Sequence, residues 1–298
     1  MRIGLSDIIE GKRLSFLADS IGRVRTAVFY PNEYKIMFAN SENEVKIFNL
    51  NNGKIIDVPF ASEGLHKLQF NSEKNILSTV NSTNYIKLLY FSNTMESKKS
   101  QIIKVNNLSE FDISKDNKYL VAGDGNATLV YDLEKNEGLP YSFGQYFSTD
   151  SVKISYNNKY LINSGASNLT IWDFKTGKEI KTIRMNDENR VEFIFSKDNK
   201  YLICAGKSIR IFNTADWDEV FSDYIDDSGT SALEISPDGK HFITGDWDGR
   251  IRIWELKTFK QIAELNNTSL KIKELNFSDD GKYLFLSQEI LFSPDSLI

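Results

Sequence analysis

Apolar and polar residues along this chain alternate in short runs that are typical of β-strands. Segments such as SALEIS (231–236) and KELNFS (273–278) place apolar residues so that they face one way, which is the period of a pleated strand with one buried face. Mostly apolar runs such as YLICAG (201–206) and HFITG (241–245) indicate further strands. Because no long helical period interrupts this pattern, it predicts an all-β protein.

A polar turn recurs along the chain at intervals of about forty residues. Successive copies begin 40 to 43 residues apart, at residues 30, 71, 114, 155, 196, 236 and 278. Clear copies are SKDNKYL at 114–120 and 196–202, SYNNKYL at 155–161, SPDGKHF at 236–242 and SDDGKYL at 278–284. Asp, Asn and Gly suit such a turn because they tolerate a positive φ or cap their own backbone. Seven copies establish an internal repeat.

Each repeat contains four segments with strand character. An alternating segment precedes the turn; a mostly apolar segment, an alternating segment that ends in an aromatic residue and a short fourth segment follow it. A single four-stranded sheet cannot bury both of its faces, whereas radial stacking of such sheets buries them and leaves only short edges exposed. The repeat therefore predicts a seven-bladed β-propeller with four-stranded antiparallel blades.

The repeats resemble those of the WD40 family, which place a turn like SPDGK before the second strand and end the third strand in Trp-Asp. Trp172 in LTIWDFKTGK and Trp254 in DWDGRIRIWE are the closest copies. Other repeats carry a different aromatic residue at this position: Phe48, Tyr131 and Phe212. The resemblance covers essentially the whole chain and implies a divergent WD40-type propeller.

WD40 repeats commonly carry a hydrogen-bonded tetrad of His, Ser or Thr, Asp and Trp, and the sixth repeat keeps three of the four. By this resemblance Thr244, Asp248 and Trp254 are structural, tetrad-like residues. The Gly-His position of this repeat reads Asp226-Asp227, and the chain contains no Gly-His pair. In repeats three to five the loop after the second strand is shorter and holds no clear tetrad Asp. We therefore expect aromatic and β-branched packing to hold the repeats together.

The two ends of the chain complement each other. After the seventh turn, enough residues remain for little more than the second strand of a blade. The opening segment RIGLSDIIEGKRLSFL aligns with IRIWELKTFKQIAEL, the third and fourth strands of the sixth repeat. We therefore expect residues 2–18 to complete the blade begun by residues 272–292, so that residues 1–298 form one propeller domain whose last blade is closed by the N-terminal strands.

Composition and charge narrow the classes of partner. A net charge of −5 and a pI near 5.3 argue against direct nucleic-acid binding, which needs clustered Lys and Arg. No run approaches the roughly 18 apolar residues of a membrane span, and the first residues lack the apolar core of a signal peptide. The single cysteine, Cys204, lies in an apolar run and is expected to be a buried thiol. We expect a reducing, cytoplasmic location.

Residue types that catalysis or metal binding would need are sparse. The two histidines, His66 and His241, lie in separate repeats, and there is neither a G-x-S-x-G elbow nor a Walker loop. The sequence therefore predicts no catalytic residue, no metal ligand, no cofactor and no enzymatic activity. Carboxylates alone could still form a site, so the alternative is a hydrolase or lactonase-like propeller with a carboxylate-bound divalent metal in its central channel.

One sector of loops carries most of the candidate binding residues. In a propeller, the loops between blades share a face with the loops that join strands two and three. The predicted acidic sector on this face consists of Asp187, Glu188, Asp226, Asp227 and Asp246, with Trp247 as an aromatic anchor. Clustered carboxylates attract cations and tryptophan adds a cation–π surface, so we expect a basic segment of a partner protein. The alternative is that these aspartates only form turns.

Three further residues, Arg25, His66 and Lys273, align near the starts of first strands and are expected to take part in partner binding. The leading prediction is a non-catalytic scaffold for protein–protein interaction, because rigid sheets that carry variable loops suit recognition. A third class is a subunit of a larger assembly, bound through blade edges or sides.

Overall fold

The computed structural model describes residues 2–7, 12–16, 24–30, 34–40, 42, 44–58, 65–71, 76–81, 85–91, 97–125, 127–139, 143–144, 149–165, 167–185, 191–266 and 270–288. Within these ranges the regular secondary structure consists of 28 β-strands. The described residues include no apolar helix of membrane-spanning length. They form two compact units, Met1–Ile103 with Ser231–Ile298 (the first unit) and Lys104–Thr230 (the second unit).

The first unit opens with two strands of a shared sheet and then two complete blades, each a four-stranded antiparallel sheet. The opening strands are β1 (Arg2–Asp7) and β2 (Lys12–Phe16). Blade one contains β3 (Val24–Phe29), β4 (Lys35–Asn40), β5 (Val45–Asn49) and β6 (Ile55–Val58). Blade two contains β7 (Leu65–Asn71), β8 (Ile76–Asn81), β9 (Tyr85–Phe91) and β10 (Ser97–Lys104).

The second unit contains blades three, four and five, again as sheets of four consecutive strands. Blade three is β11 (Phe111–Ile113), β12 (Tyr119–Gly123), β13 (Thr128–Asp132) and β14 (Glu137–Gly138). Blade four is β15 (Ser151–Ile154), β16 (Tyr160–Gly165), β17 (Asn168–Asp173) and β18 (Glu179–Arg184). Blade five is β19 (Glu192–Phe195), β20 (Tyr201–Ala205), β21 (Ser208–Asn213) and β22 (Glu219–Tyr224).

The last strands return to the first unit. Blade six is β23 (Thr230–Ile235), β24 (His241–Asp246), β25 (Arg250–Glu255) and β26 (Lys260–Asn266). β27 (Ile272–Phe277) and β28 (Tyr283–Gln288) then join the opening strands in the order β2-β1-β28-β27, where β1 runs antiparallel to β28. The prediction of an all-β propeller with four-stranded antiparallel blades is confirmed for six blades. The seventh is described in part, because residues 8–11, 17–18 and 289–292 of the predicted blade lie outside the described ranges.

The recurring turn is a hydrogen-bonded unit, as the sequence predicts. In blade six the Ser236 hydroxyl donates to Asp238 Oδ1 at 2.6 Å and accepts the His241 N–H at 3.0 Å, while Gly239 takes a φ of 69°. The copies that begin at Ser114, Ser155, Ser196 and Ser278 repeat both bonds, with Asn or Gly at the positive-φ position. In the five blades where it is described, this turn fixes the register between the first and second strands.

Second strands form the densest part of each core. Leu202, Ile203 and Cys204 of β20 have no exposed surface, and Phe242 and Ile243 of β24 are equally buried. Burying one such side chain stabilises the fold by about 1.5–3 kcal/mol. Burial also raises the pKa of the Cys204 thiol, so the prediction of a buried cysteine is confirmed.

Candidate functional site

The preserved tryptophan of blade six is built into the sheet. Strand pairing places Trp254 opposite Phe242, and the two rings stack with centroids 5.7 Å apart and planes 2° from parallel. Trp254 is 2% exposed, and its indole N–H donates to Thr244 Oγ1 at 3.3 Å. A buried indole N–H needs an acceptor, because its hydration is lost on folding. Two of the three predicted tetrad-like residues are therefore bonded to each other.

Asp246, the last residue of β24, and Asp248, in the loop that follows, flank Trp247, and each carboxylate pairs with an arginine. The Asp248 carboxylate accepts the Arg250 Nε–H at 2.6 Å and pairs with the same guanidinium through Nη2. Asp246 is 0% exposed and pairs with Arg252, which is itself 4% exposed. Asp246 therefore lies inside the blade and not on the exposed acidic sector expected from the sequence, because Arg252 on the adjacent strand β25 neutralises it there.

Trp247 remains at the surface, with 43% of its residue area exposed. The Lys271 ammonium lies 3.3 Å from the centroid of its ring. The two residues meet because the end of β24 packs tightly on the start of β27: a Cβ added to Gly245 would lie 2.6 Å from Ile272 Cγ2. One cation already occupies a face of the predicted aromatic anchor, and neither Lys271 nor Gly245 was recognised from the sequence.

The remaining acidic candidates belong to the second unit or lie outside the described residues. Asp226 Oδ1 accepts the Ser228 N–H at 2.9 Å and so shapes the loop after β22. Asp227 Oδ1 accepts the hydroxyl of the exposed Tyr224 at 2.8 Å, and this bond raises the pKa of the tyrosine. Asp187 and Glu188 are not among the described residues. These local bonds agree with turn formation, the alternative role that the sequence left open.

Arg25, His66 and Lys273 share a structural position. Each is skipped in the pairing between the first and second strand of its blade, between Val24 and Thr26, Leu65 and Lys67, and Ile272 and Glu274. All three are therefore extra residues at β-bulges, where a side chain is re-aimed relative to the regular strand. Lys273 is exposed and Arg25 is half-buried, whereas the side chain of His66 lies outside the described set.

Blade four contains a polar arrangement that the sequence did not reveal. The Trp172 indole N–H donates to Asn163 Oδ1 at 3.0 Å, and the Asn163 amide donates to Thr128 Oγ1 of blade three at 3.3 Å. Asn163 occupies the strand position that Thr244 has in blade six, opposite the residue two before the tryptophan. An alignment of β16 with β24 would have identified Asn163 as the counterpart of Thr244.

Among the described residues, no group of three or more His, Cys, Asp or Glu side chains is arranged to hold a metal ion.

Several features together are typical of a WD-type β-propeller: antiparallel blades of four strands, a Ser-x-Asp or Ser-x-Asn turn before the second strand of blades three to seven, and an aromatic residue on the third strand of blades one and three to six. The family model "WD domain, G-beta repeat" matches residues 222–255, from β22 to the end of β25. This match and the blade architecture support the resemblance to the WD40-repeat β-propeller family. The matched segment contains Thr244, Asp248 and Trp254, which the sequence identified as the best-preserved repeat.

Several curated relatives are similar over part or most of the chain. Protein groucho of Drosophila melanogaster is 28% identical over 193 residues, covering 59% of this chain and 26% of groucho. WD repeat-containing protein 82 of the same organism is 23% identical over 270 residues, covering 74% and 83%. Guanine nucleotide-binding protein subunit beta-like protein 1 of Mus musculus is 24% identical over 159 residues, covering 52% and 48%. The matches span a third or less of groucho and of two other relatives.

Proposed function

We propose that this chain is a non-catalytic scaffold for protein–protein interaction that binds a segment of a partner protein at the loop after β24. The observation that carries this proposal is the exposed Trp247, presented by a loop whose other side chains are fixed. Aromatic residues held in a rigid setting contribute much of the energy of protein interfaces, because little conformational entropy is lost when they bind.

Buried contacts at the end of β24 hold the loop that follows it in place. Asp246 and Arg252 form a buried ion pair beneath it, and Gly245 lies too close to Ile272 to accept a side chain. Trp247 therefore follows a tightly packed strand end, and the Lys271 ammonium lies against its ring. This is a recognition element whose geometry exists before the partner arrives.

The carboxylates of this loop do not favour the hydrolase alternative. A divalent metal would need several oxygen ligands that converge on one point. Asp246 and Asp248 are instead each occupied by a guanidinium. WD40 relatives are generally non-catalytic, which supports the same conclusion.

Several finer predictions remain part of this proposal. They are that residues 1–298 make one propeller domain closed by the N-terminal strands, and that the protein works in the cytoplasm. Among the partner-binding residues, Asp226 and Asp227 stay candidates for contact with a basic segment. A role as a subunit of a multi-subunit assembly is a form of the same scaffold function.

Site-specific photo-crosslinking tests the proposal. A benzoylphenylalanine at position 247 should crosslink to one partner protein in the native cells. The same group at position 257, an exposed turn residue at the opposite end of β25, should not. Trp247→Ala should lower co-purification of that partner by roughly tenfold or more, as expected for an interface hot spot.

The matched control is Lys257→Ala, which should leave co-purification of the partner unchanged. Equal crosslinking at both positions, or full retention of the partner by Trp247→Ala, would show that this loop is not the binding surface. Comparable urea midpoints for the variants and the wild type would exclude unfolding as the cause of any loss.

A further inference from the structure

Blades seven and one of the first unit meet along a seam that has an apolar part and a polar part. In the apolar part, the Phe285 ring of blade seven lies edge-on to Phe29 of blade one, with centroids 6.4 Å apart. Phe285 also packs with Ala27 and Phe38 of blade one, and these three residues are at most 1% exposed. The polar part of the seam is built around Glu274 on β27.

The Glu274 carboxyl group links blade seven to blade one, and blade one is linked in turn to blade two. It accepts hydrogen bonds from the Thr26 hydroxyl and the Ala27 N–H of blade one. Thr26 is 1% exposed, and its Oγ1 accepts the Leu68 N–H of blade two at 3.2 Å. Because buried donors need acceptors, Glu274 and Thr26 hold three first strands in place. A change at the Glu274 carboxyl therefore acts on both β3 and β7.

The two oxygens of this carboxyl group have different surroundings. Glu274 Oε2 is buried and has no hydrogen-bond partner among the described residues. Both donors of blade one therefore bond to Oε1. Ser287, which pairs with Glu274 across the sheet, is 0% exposed, and its hydroxyl likewise has no partner in the described part of the chain. The side chain that faces Glu274 from β28 thus supplies no bond to Oε2.

This arrangement suits a carboxylic acid better than a carboxylate. An ionised carboxylate spreads its charge over both oxygens, and burying it with one oxygen unbonded is costly. A protonated carboxyl has a carbonyl oxygen with two lone pairs, which the two donors at Oε1 fill, and it carries its proton on the other oxygen. The hydrogen bonds of Glu274 are therefore those expected of the neutral form.

The charged groups around Glu274 act in opposition to its burial. At this end of the strands the described charged side chains are Lys273 on β27, Arg25 on β3, Lys67 on β7, and Asp246 on β24, which is paired with Arg252; the side chain of His66 lies outside the described set. Lys273 and Lys67 favour the ionised form of Glu274, but burial outweighs them and raises the pKa of its carboxyl above the ordinary 4.5.

We propose that the seam between blades seven and one is a proton-dependent joint, which is tighter when the Glu274 carboxyl is protonated and looser when it is ionised. A carboxyl whose pKa is raised by folding binds its proton more tightly in the folded chain than in the unfolded one. Its contribution to stability is complete below the ordinary value of 4.5 and is lost as pH rises through the higher folded value.

Glu274→Gln in the full chain tests this joint, because the amide is a neutral group of nearly the same shape as the protonated carboxyl. At pH 8 the urea midpoint of the variant should exceed that of the wild type by roughly 0.5 M or more, and the difference should shrink toward pH 5. A variant that is less stable than the wild type by the same amount at every pH would overturn the proposal, since Glu274 would then act as a carboxylate throughout.

Hydrogen exchange locates the effect. In the wild type, protection of the Ala27 and Leu68 amides should fall about fivefold or more between pH 5 and pH 8, whereas protection in β20 of blade five should not. In Glu274→Gln the protection of both amides should no longer depend on pH. An equal loss in Glu274→Gln, or an equal loss in β20, would show that another group or a global change is responsible and would overturn the joint.

Two further variants complete the test. Glu42→Gln removes the same charge from an exposed residue of the first unit and should follow the wild type in both measurements. Lys67→Met removes a cation that favours ionised Glu274, so it should move the loss of Ala27 protection to higher pH. This second prediction does not depend on the folding of Glu274→Gln. A shift to lower pH in Lys67→Met would contradict the proposal.

Discussion

Blades four and six both carry a tryptophan next to the last residue of the third strand, but a different residue type accepts the indole N–H hydrogen bond in each. In blade six, Thr244 accepts the bond from Trp254 within a single sheet. In blade four, Asn163 accepts the bond from Trp172 and passes a second bond on to blade three. The requirement for an acceptor is kept while the residue that supplies it changes. A divergent repeat can therefore lose the residue pattern of its family and keep the physical function of that pattern.

Blades three and five support this interpretation because neither has an indole N–H at this position. In blade five the aromatic residue is Phe212, which has no N–H, and Cys204 occupies the position of Thr244. In blade three Tyr131 donates its hydroxyl outward to Asn136 Oδ1 at 3.2 Å, and Ala122 occupies the same strand position. Across these blades, an acceptor is present where an indole needs one and an apolar or weakly polar residue where none does.

Blade six differs from blade four in a second respect, the ion pair of Asp246 and Arg252. The corresponding positions in blade four are Gly165 and Thr170. Arg252→Met should lower the free energy of unfolding by about 3–5 kcal/mol, because it leaves the Asp246 carboxylate buried without its main counter-charge. Urea denaturation followed by circular dichroism measures this loss, which is the largest expected here.

The double variant Asp246→Leu with Arg252→Met sharpens that test. It should be more stable than Arg252→Met alone, because removing both charges also removes the buried uncompensated one. If the double variant instead loses the sum of the two single effects, the ion pair is not the reason for the cost.

The Thr244 hydroxyl should contribute less than the ion pair but should depend on the tryptophan. Thr244→Val should cost about 1–3 kcal/mol, because the Trp254 N–H is left buried without an acceptor. In the Trp254→Phe background, the same change should cost about 1 kcal/mol less, and a double-mutant cycle of urea midpoints measures the difference.

Cys204→Val in blade five is the control for the change in side-chain shape. With Phe212 as its aromatic neighbour in the repeat there is no N–H to satisfy, so the cost should stay below about 1.5 kcal/mol. A cycle that shows no coupling between Thr244 and Trp254 would argue against the acceptor rule drawn from the four blades.

The repeat and most strands could be predicted because period-two patterning and turn residues are local properties of the sequence. The pairing of Thr244 with Trp254 was accessible through family resemblance, but Asn163 was missed because an amide is not part of that pattern. The burial of Asp246 depends on Arg252 lying across the sheet, which patterning along one strand does not report. Alignment of the repeats placed Arg25, His66 and Lys273 at equivalent positions near the starts of first strands. It could not predict that each lies at a β-bulge, because a bulge depends on the register between two paired strands.

The smallest expected change in the free energy of unfolding concerns the recurring turns. Blade six has Asp238 and blade four has Asn157 in the same hydrogen-bonded position. Burial acts to raise the pKa of Asp238, but hydrogen bonds from Ser236 and the Lys240 N–H outweigh it, so the pKa lies below its ordinary 3.8. A carboxyl whose pKa is lowered by folding stabilises the protein above pH 3.8, and this contribution is lost as pH falls through the lower folded value. Asp238 is half-exposed, so the contribution should be roughly 0.5 kcal/mol or less.

Asp238→Asn gives blade six the turn of blade four and removes the titrating group. The variant should be slightly less stable than the wild type at pH 7, and the difference should shrink as the pH is lowered below the ordinary pKa of an aspartate. Urea midpoints of both proteins across this range provide the measurement. A difference that stays constant with pH would mean that the charge of Asp238 does not stabilise the turn, and that Asp and Asn serve there only as equivalent hydrogen-bond acceptors.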